Sequence, residues 1–204
     1  MSSESSAISP EQDAQAHELC QHFSTLLRSI SAEQVASFTG GEPPVICDID
    51  YYTPGQVLAN EMILLSASGP ALQLLFKIHF NYQQAQSRLK QNVHKGSAPL
   101  SVKDIDFMKE LGNQLCGAFC RKLASQDIDA GLSIPLSTRG YYEAYADYTN
   151  KTSPLLKFGE GWALEGDFGT LYFSSYTEIM DNQMIAPLLA ISLEDDADDD
   201  IDFF

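Results

Sequence analysis

The sequence lacks the features that mark several large classes of protein. No apolar run approaches the roughly 20 residues that a membrane-spanning helix needs. The opening Met-Ser-Ser-Glu-Ser-Ser has neither the basic nor the apolar region of a signal peptide. The sequence also contains no GxxxxGKS phosphate-binding loop and no metalloprotease His/Glu spacing. We therefore expect a cytoplasmic protein that does not insert into membranes.

Basic residues are scarce as well. The 204 residues include 12 Lys and Arg against 28 Asp and Glu, which gives a formal net charge of −16. Seven of these acidic residues lie in the last eleven positions, and the rest of the chain remains acidic. Because such a charge repels nucleic acid and anionic membrane surfaces, we exclude nucleic acid as a partner.

The cysteines are few and are not arranged in a known ligand pattern. None of the four, Cys20, Cys47, Cys116 and Cys120, belongs to a CxxC or Cys/His spacing, so buried free thiols are the simplest interpretation. Cys116 and Cys120 are one helical turn apart and Cys20 is on another predicted helix, which leaves a redox pair or a soft-metal site open as an alternative. We predict no metal site.

What the sequence does contain is the pattern of an α+β fold. A capping box with proline at the first helical position, Ser9-Pro10-Glu11-Gln12, predicts a helix start, and Gly40-Gly41 predicts its end. We expect an antiparallel or mixed sheet packed against long helices, in a single domain over 9–192 with disordered ends at 1–8 and 193–204. The predicted strands are 45–51, 61–67, 72–80, 131–136, 141–148, 161–165 and 170–179.

Three connecting segments complete this prediction. The strands 61–67 and 72–80 are joined by Ser68-Gly69-Pro70, which predicts an antiparallel hairpin. Residues 81–100 are polar and are predicted as a loop. The apolar run 184–191 is typical of either a strand or a helix, because eight residues do not show a decisive period.

The strongest helix prediction covers 102–124, a helix that we label α2. At about 100° per residue, its apolar side chains fall on one arc. Four other residues form a polar stripe along the helix, which we call the α2 stripe: Asp106, Glu110, Asn113 and Gly117. Gly112 and Gly117 each cost about 1 kcal/mol relative to alanine in a helix. Gly112 lies near the apolar arc and predicts close packing, whereas Gly117 predicts close approach by a partner.

Glu110 and Asn113 alone are also typical of a simple surface pair, since residues three apart on a helix are neighbours. The longer string, Asp106, Glu110, Asn113 and then Gly117, resembles the signature of the CheC/CheX/FliY chemotaxis phosphatases. Pro135 stands one residue short of the proline position in that signature. A single such helix is closer to the CheX arrangement than to the doubled unit of CheC.

The resemblance implies a CheC-like fold and a phosphatase that accelerates hydrolysis of the aspartyl phosphate of a CheY-like response regulator. Asn113 would orient the attacking water and Glu110 would pair with the regulator's lysine, while Asp106 and Gly117 would support docking. The protein would need no cofactor of its own, because the Mg²⁺ is carried by the phosphorylated partner. A non-catalytic adaptor or switch-complex component that binds a receiver domain is one alternative. A family member whose partner is a receiver domain outside chemotaxis is another.

The acidic C-terminal run ends in Ile201-Asp202-Phe203-Phe204. A solubilising tail is one interpretation. The run also resembles, loosely, the peptides by which chemotaxis proteins tether CheY, in which case Ile201, Phe203 and Phe204 would contact the partner. Exposed sheet edges could pair two copies into a homodimer.

Overall fold

The computed structural model describes residues 10–49, 58–81, 104–139 and 155–190. Its longer helices are α1 (Pro10–Thr39) and α2 (Asp104–Ala124), and a short α3 (Asn182–Ile185) leads into a 3₁₀ helix (Ala186–Ala190). The strands are β1 (Val45–Asp48), β2 (Glu61–Ser68), β3 (Leu72–Phe80), β4 (Gly131–Leu132), β5 (Leu136–Arg139), β6 (Leu156–Gly166) and β7 (Gly169–Ile179).

The strands of the described chain form one sheet. Their order is β1-β6-β7-β3-β2-β4, with β5 also paired to β2, and every pairing is antiparallel. The predicted hairpin is confirmed, because β2 and β3 pair from Glu61 opposite Phe80 to Ser68 opposite Gln73. The α+β class is confirmed with it.

The long helices lie side by side on one face of this sheet. Phe23 contacts Phe119 and Phe38 contacts Phe107, so the two helices run antiparallel. α1 packs toward β1 and β6, and α2 packs on β2 and against β4 and β5. Trp162 and Phe173 stack beneath the helices, with ring centroids 5.6 Å apart. Aromatic side chains therefore fill much of the core between helices and sheet.

The C-terminal end of α1 agrees with the sequence prediction. The helix is described from Pro10 and ends at Thr39, immediately before Gly40, whose φ of 63° is the left-handed conformation that commonly ends a helix. The predicted helix over 102–124 is described from Asp104 and ends at Ala124. The end of α1 therefore follows from a local signal at Gly40.

Residues 131–136, predicted as one strand, are divided between two. β4 ends at Leu132 and β5 begins at Leu136. Pro135 has no N–H to donate to a ladder, which interrupts regular pairing. Ser133 fills the gap: its backbone N–H donates to the Ser66 carbonyl at 2.8 Å, and its hydroxyl accepts from the Ser66 N–H at 2.8 Å.

The ambiguous run 184–191 is helical as far as it is described. The carboxylate of Asp181 caps α3 by accepting hydrogen bonds from the N–H groups of Gln183 and Met184. The predicted strand 141–148, the predicted loop 81–100 apart from its first residue, and the predicted disordered ends 1–8 and 193–204 lie outside the described residues. No helix of the described chain is long and apolar enough to cross a membrane.

Candidate functional site

The buried face of α2 is the one that its sequence predicts. Ile105 is half-buried, and the remaining apolar positions are buried against the sheet and α1: Met108, Leu111, Leu115, Cys116, Phe119 and Leu123. A helix fixed along a whole face by such contacts holds its opposite side rigidly. The α2 stripe lies on that opposite side.

The α2 stripe is accessible along its length. Asp106 and Glu110 are exposed, and Asn113 and Gly117 are half-buried. Glu110 accepts a long hydrogen bond from the Gln114 amide at 3.4 Å, so it does not pair with Asn113. Within the described part of the chain, the Asn113 amide has no hydrogen-bond partner. The simple surface pair between Glu110 and Asn113 is therefore not formed.

The two glycines of α2 have different surroundings. A Cβ at Gly112 would lie 2.7 Å from Leu65 Cδ1, which is closer than carbon atoms pack, and 3.5 Å from Ile63 Cγ2. The predicted close packing at Gly112 is confirmed. A Cβ at Gly117 would meet nothing nearer than an Arg121 guanidinium nitrogen at 3.5 Å, an ordinary contact. Packing against the core therefore does not explain Gly117.

Alanine at these two positions should change stability in opposite directions. Gly117→Ala is expected to stabilise the protein by up to about 1 kcal/mol, because alanine is the better helix former and has room. Gly112→Ala gains the same propensity but overpacks Leu65, and we expect a net loss of about 1 kcal/mol. Urea unfolding of both variants measures the difference. Equal effects at the two sites would contradict the packing described for Gly112.

Arg121 is a member of this surface that the sequence analysis did not select. It is exposed, and its guanidinium lies over Gly117, one turn toward the N-terminus of α2. Helical side chains do cover the turn that precedes them. The spacing of four residues between Gly117 and Arg121 was the signal that could have revealed it.

Exposed apolar side chains lie on the sheet edge against which α2 packs. Leu132, Ile134 and Leu136, on the edge formed by β4 and β5, are 44%, 81% and 60% exposed. The predicted tail contacts, Ile201, Phe203 and Phe204, lie outside the described residues. The structure thus brings the four predicted residues of the α2 stripe onto one surface of the helix.

A second group of charges, at the other edge of the helix layer, is already paired. Arg28 of α1 donates hydrogen bonds to Asp48 of β1 and to Glu160 of β6, and the Ser24 hydroxyl also donates to Glu160. Burial acts to lower the pKa of Arg28, but the hydrogen bond to Asp48 and the charge of Glu160 raise it overall. These contacts tie α1 to the sheet, a structural role.

The cysteines do not form a reactive group. All four are free, and Cys116 is buried while the others are half-buried. Burial raises the pKa of Cys116, with a further contribution from Cys120, and burial also raises that of Cys120. Protonated thiols are poor nucleophiles and poor metal ligands. Across the described ranges, no three His, Cys, Asp or Glu side chains are grouped to hold a metal ion.

The opposite face of the sheet carries a buried polar pair. Burial lowers the pKa of Lys77 to about 8. Burial, followed by the charge of Lys77, lowers the pKa of His79 to about 3. His79 is therefore neutral near pH 7, and its Nε2 lies 3.0 Å from the Ser174 hydroxyl. This neighbourhood is on the side of the sheet away from α2 and contributes nothing to the α2 stripe.

The architecture matches solved structures of chemotaxis proteins. A CheC-like superfamily protein from Shewanella sp. PV-4 has a TM-score of 0.56 at 13% identity, over 77% of this chain and 97% of that one. The chemotaxis protein CheX from Vibrio vulnificus has a TM-score of 0.54 at 15% identity, over 78% and 99%. A chain of a FliM–SpeE complex from H. pylori has a TM-score of 0.52 at 8% identity, over 90% and 97%.

These likenesses define the class of fold. The chain has the CheC-like fold, a sheet covered on one face by long antiparallel helices. The sequence-based resemblance is thereby confirmed for the fold. No protein-family model and no curated protein matches the sequence.

Proposed function

We propose that this protein binds a CheY-like receiver domain and accelerates hydrolysis of its aspartyl phosphate. The observation that carries the proposal is the amide of Asn113, which has no hydrogen-bond partner among the described residues and is held on the accessible side of a rigid helix, one turn from the exposed Glu110. The CheC-like fold, seen in CheX, supports it. The proposed location is the cytoplasm, where two-component signalling occurs.

The proposed reaction requires the site only to position a water molecule. Water attacks the phosphorus, the bond from phosphorus to the aspartate oxygen breaks, and the carboxylate and inorganic phosphate are released. The Mg²⁺ belongs to the receiver and supports the charge on the phosphoryl oxygens. What remains is to hold the water in line, and the side-chain oxygen of Asn113 can accept its hydrogen bond. A neutral amide does this without repelling the phosphoryl group.

Glu110 is proposed to anchor the complex by pairing with the receiver's active-site lysine. Among the described residues, Glu110 is hydrogen-bonded only by the long contact from Gln114, so little is lost when the carboxylate changes partner. Asp106 would support docking about one turn away. The role of Gly117 is to let the partner approach the helix.

Replacing Glu110 with alanine should weaken binding to a Mg²⁺-bound receiver by about tenfold or more, the loss of one charge-assisted contact. Isothermal titration calorimetry measures the affinity. Glu18→Ala is the matched control, because Glu18 is an exposed glutamate on α1 and its loss changes the net charge equally. If the two variants bind alike, Glu110 makes no specific contact.

The test of the enzymatic proposal is the rate of phosphoryl loss from a phosphorylated, Mg²⁺-bound receiver, with and without this protein. Acceleration at substoichiometric protein supports catalysis. Binding without acceleration favours the second candidate, an adaptor that recognises a receiver domain. The observation that favours the adaptor is the similarity to a chain of a FliM–SpeE complex. Absence of both binding and acceleration would reject the two candidates together.

Two further roles belong to this proposal. The acidic tail, through Ile201, Phe203 and Phe204, would tether the receiver and raise its concentration near α2. A homodimer would form through a sheet edge, and Val45 and Ile46 of the edge strand β1 offer 64% and 42% exposed apolar side chains for it.

A further inference from the structure

The guanidinium of Arg121 occupies a defined position on the α2 stripe. Arg121 follows Gly117 by one turn, and one of its terminal nitrogens lies 3.5 Å from where a Cβ of Gly117 would be. The charged group thus rests against bare helix at the level of Gly117. Since four residues separate Gly117 from Asn113, the guanidinium is about 6 Å along the helix axis from the proposed water-positioning turn.

The positive charge of Arg121 is not paired with a described acidic side chain. Arg121 forms no side-chain hydrogen bond or ion pair with any described residue, although the chain has 28 acidic residues against 12 basic ones. A basic residue in the last turn does stabilise a helix through its dipole. Lys122 in the same turn supplies a charge for that purpose too, so the dipole does not explain why a second cation lies along the stripe.

Arginine suits one kind of ligand especially well. Its planar guanidinium presents paired N–H groups that match the two oxygens of a carboxylate, which a lysine cannot do. Gly117 contributes by leaving the helix without a side chain at the point where the guanidinium rests. A side chain larger than alanine there would lift the guanidinium away from the backbone.

We propose that Gly117 and Arg121 form a carboxylate-binding end of the α2 stripe, which recognises an acidic side chain of the receiver beside its phosphorylated aspartate. The inference rests on the proposed function, because the partner is the same receiver. Glu110 then binds a cation of the partner and Arg121 an anion, with Asn113 between them. Two opposite charges on one helix fix the direction in which the partner docks.

The experiment compares Arg121→Ala, Arg121→Lys and Lys122→Ala. Lys122→Ala is the matched control, because it removes the same charge from the same turn of α2. The Lys122 side chain is rotated about 100° around the helix from that of Arg121, toward the side of α2 that carries Phe107 and Phe119. Affinity is measured for the Mg²⁺-bound receiver, unphosphorylated and with beryllofluoride, a stable phosphoryl analogue. Thermal unfolding verifies that each variant is folded.

Arg121→Ala is expected to raise the Kd at least tenfold in both states of the receiver, and Arg121→Lys to raise it less. Lys122→Ala should stay within about twofold of wild type. At saturating receiver, kcat of Arg121→Ala should fall by a smaller factor than the affinity does, because Arg121 does not touch the attacking water. Gly117→Leu should reproduce the affinity loss of Arg121→Ala while Arg121 is still present.

Three results would overturn the inference. Equal affinities of Arg121→Ala and Lys122→Ala would show that only net charge matters. A loss confined to the beryllofluoride state would assign Arg121 to the phosphoryl group and not to a carboxylate. If the wild type binds the receiver in neither state, the proposed function fails along with the inference, whereas the first two results leave the proposed function standing.

Discussion

Replacing Asn113 with alanine is expected to remove the acceleration of phosphoryl loss while the receiver still binds. If orienting the water supplies a hundredfold acceleration, the variant loses about 2.7 kcal/mol of transition-state stabilisation. The Asn113 amide makes no hydrogen bond to the described protein, so its removal should leave the fold and the remaining docking contacts unchanged. The effect should therefore appear in kcat, with KM close to wild type.

Gln114→Ala is the control for this experiment. It removes another amide from the next position of α2, where the side chain is turned about 100° from Asn113 and already donates to Glu110. We expect its rate to remain within a few-fold of wild type. Single-turnover phosphate release from the labelled receiver measures both variants. A fully active Asn113→Ala protein would exclude the water-positioning role.

Replacing Phe119 with alanine is expected to destabilise the protein by about 3–5 kcal/mol, which is the range for a buried phenylalanine. Phe119 is fully buried, and its ring meets Phe23 of α1 edge-on at a centroid distance of 5.2 Å. The substitution leaves a cavity at the contact of both long helices with the core. The melting temperature should fall by roughly 6–20 °C for a chain of this length.

Phe107→Ala offers a matched comparison on the same helix. Its ring contacts Phe38 at 4.4 Å, but Phe107 is only half-buried, so water can occupy part of the space that its ring leaves. We expect a smaller loss, about 1–2 kcal/mol. Calorimetry or urea unfolding of the two variants measures the loss of stability that each substitution causes. Equal losses of stability would contradict the expectation that the more deeply buried Phe119 contributes more than Phe107 to the contact between α1 and α2.

The sequence alone determined the elements whose signals are local. Gly40 follows the end of α1, and the Ser68-Gly69-Pro70 turn sets the β2–β3 hairpin. Amphipathic periodicity also assigned the buried arc and the polar stripe of α2, because the angle between two residues on one helix depends only on their spacing. The candidate site was predictable for the same reason, since Glu110 and Asn113 occupy a single helix.

Only the tertiary structure decided what depends on contacts between distant parts of the chain. The division of 131–136 into two strands required Ser133 to meet Ser66, and the tight space at Gly112 required Leu65 of another element. The structure also showed where the Arg121 guanidinium lies: its spacing from Gly117 is local, but the absence of an ion pair with any described residue is known only after folding. Spacing fixes directions on one helix, whereas packing and pairing are set by surfaces that folding brings together.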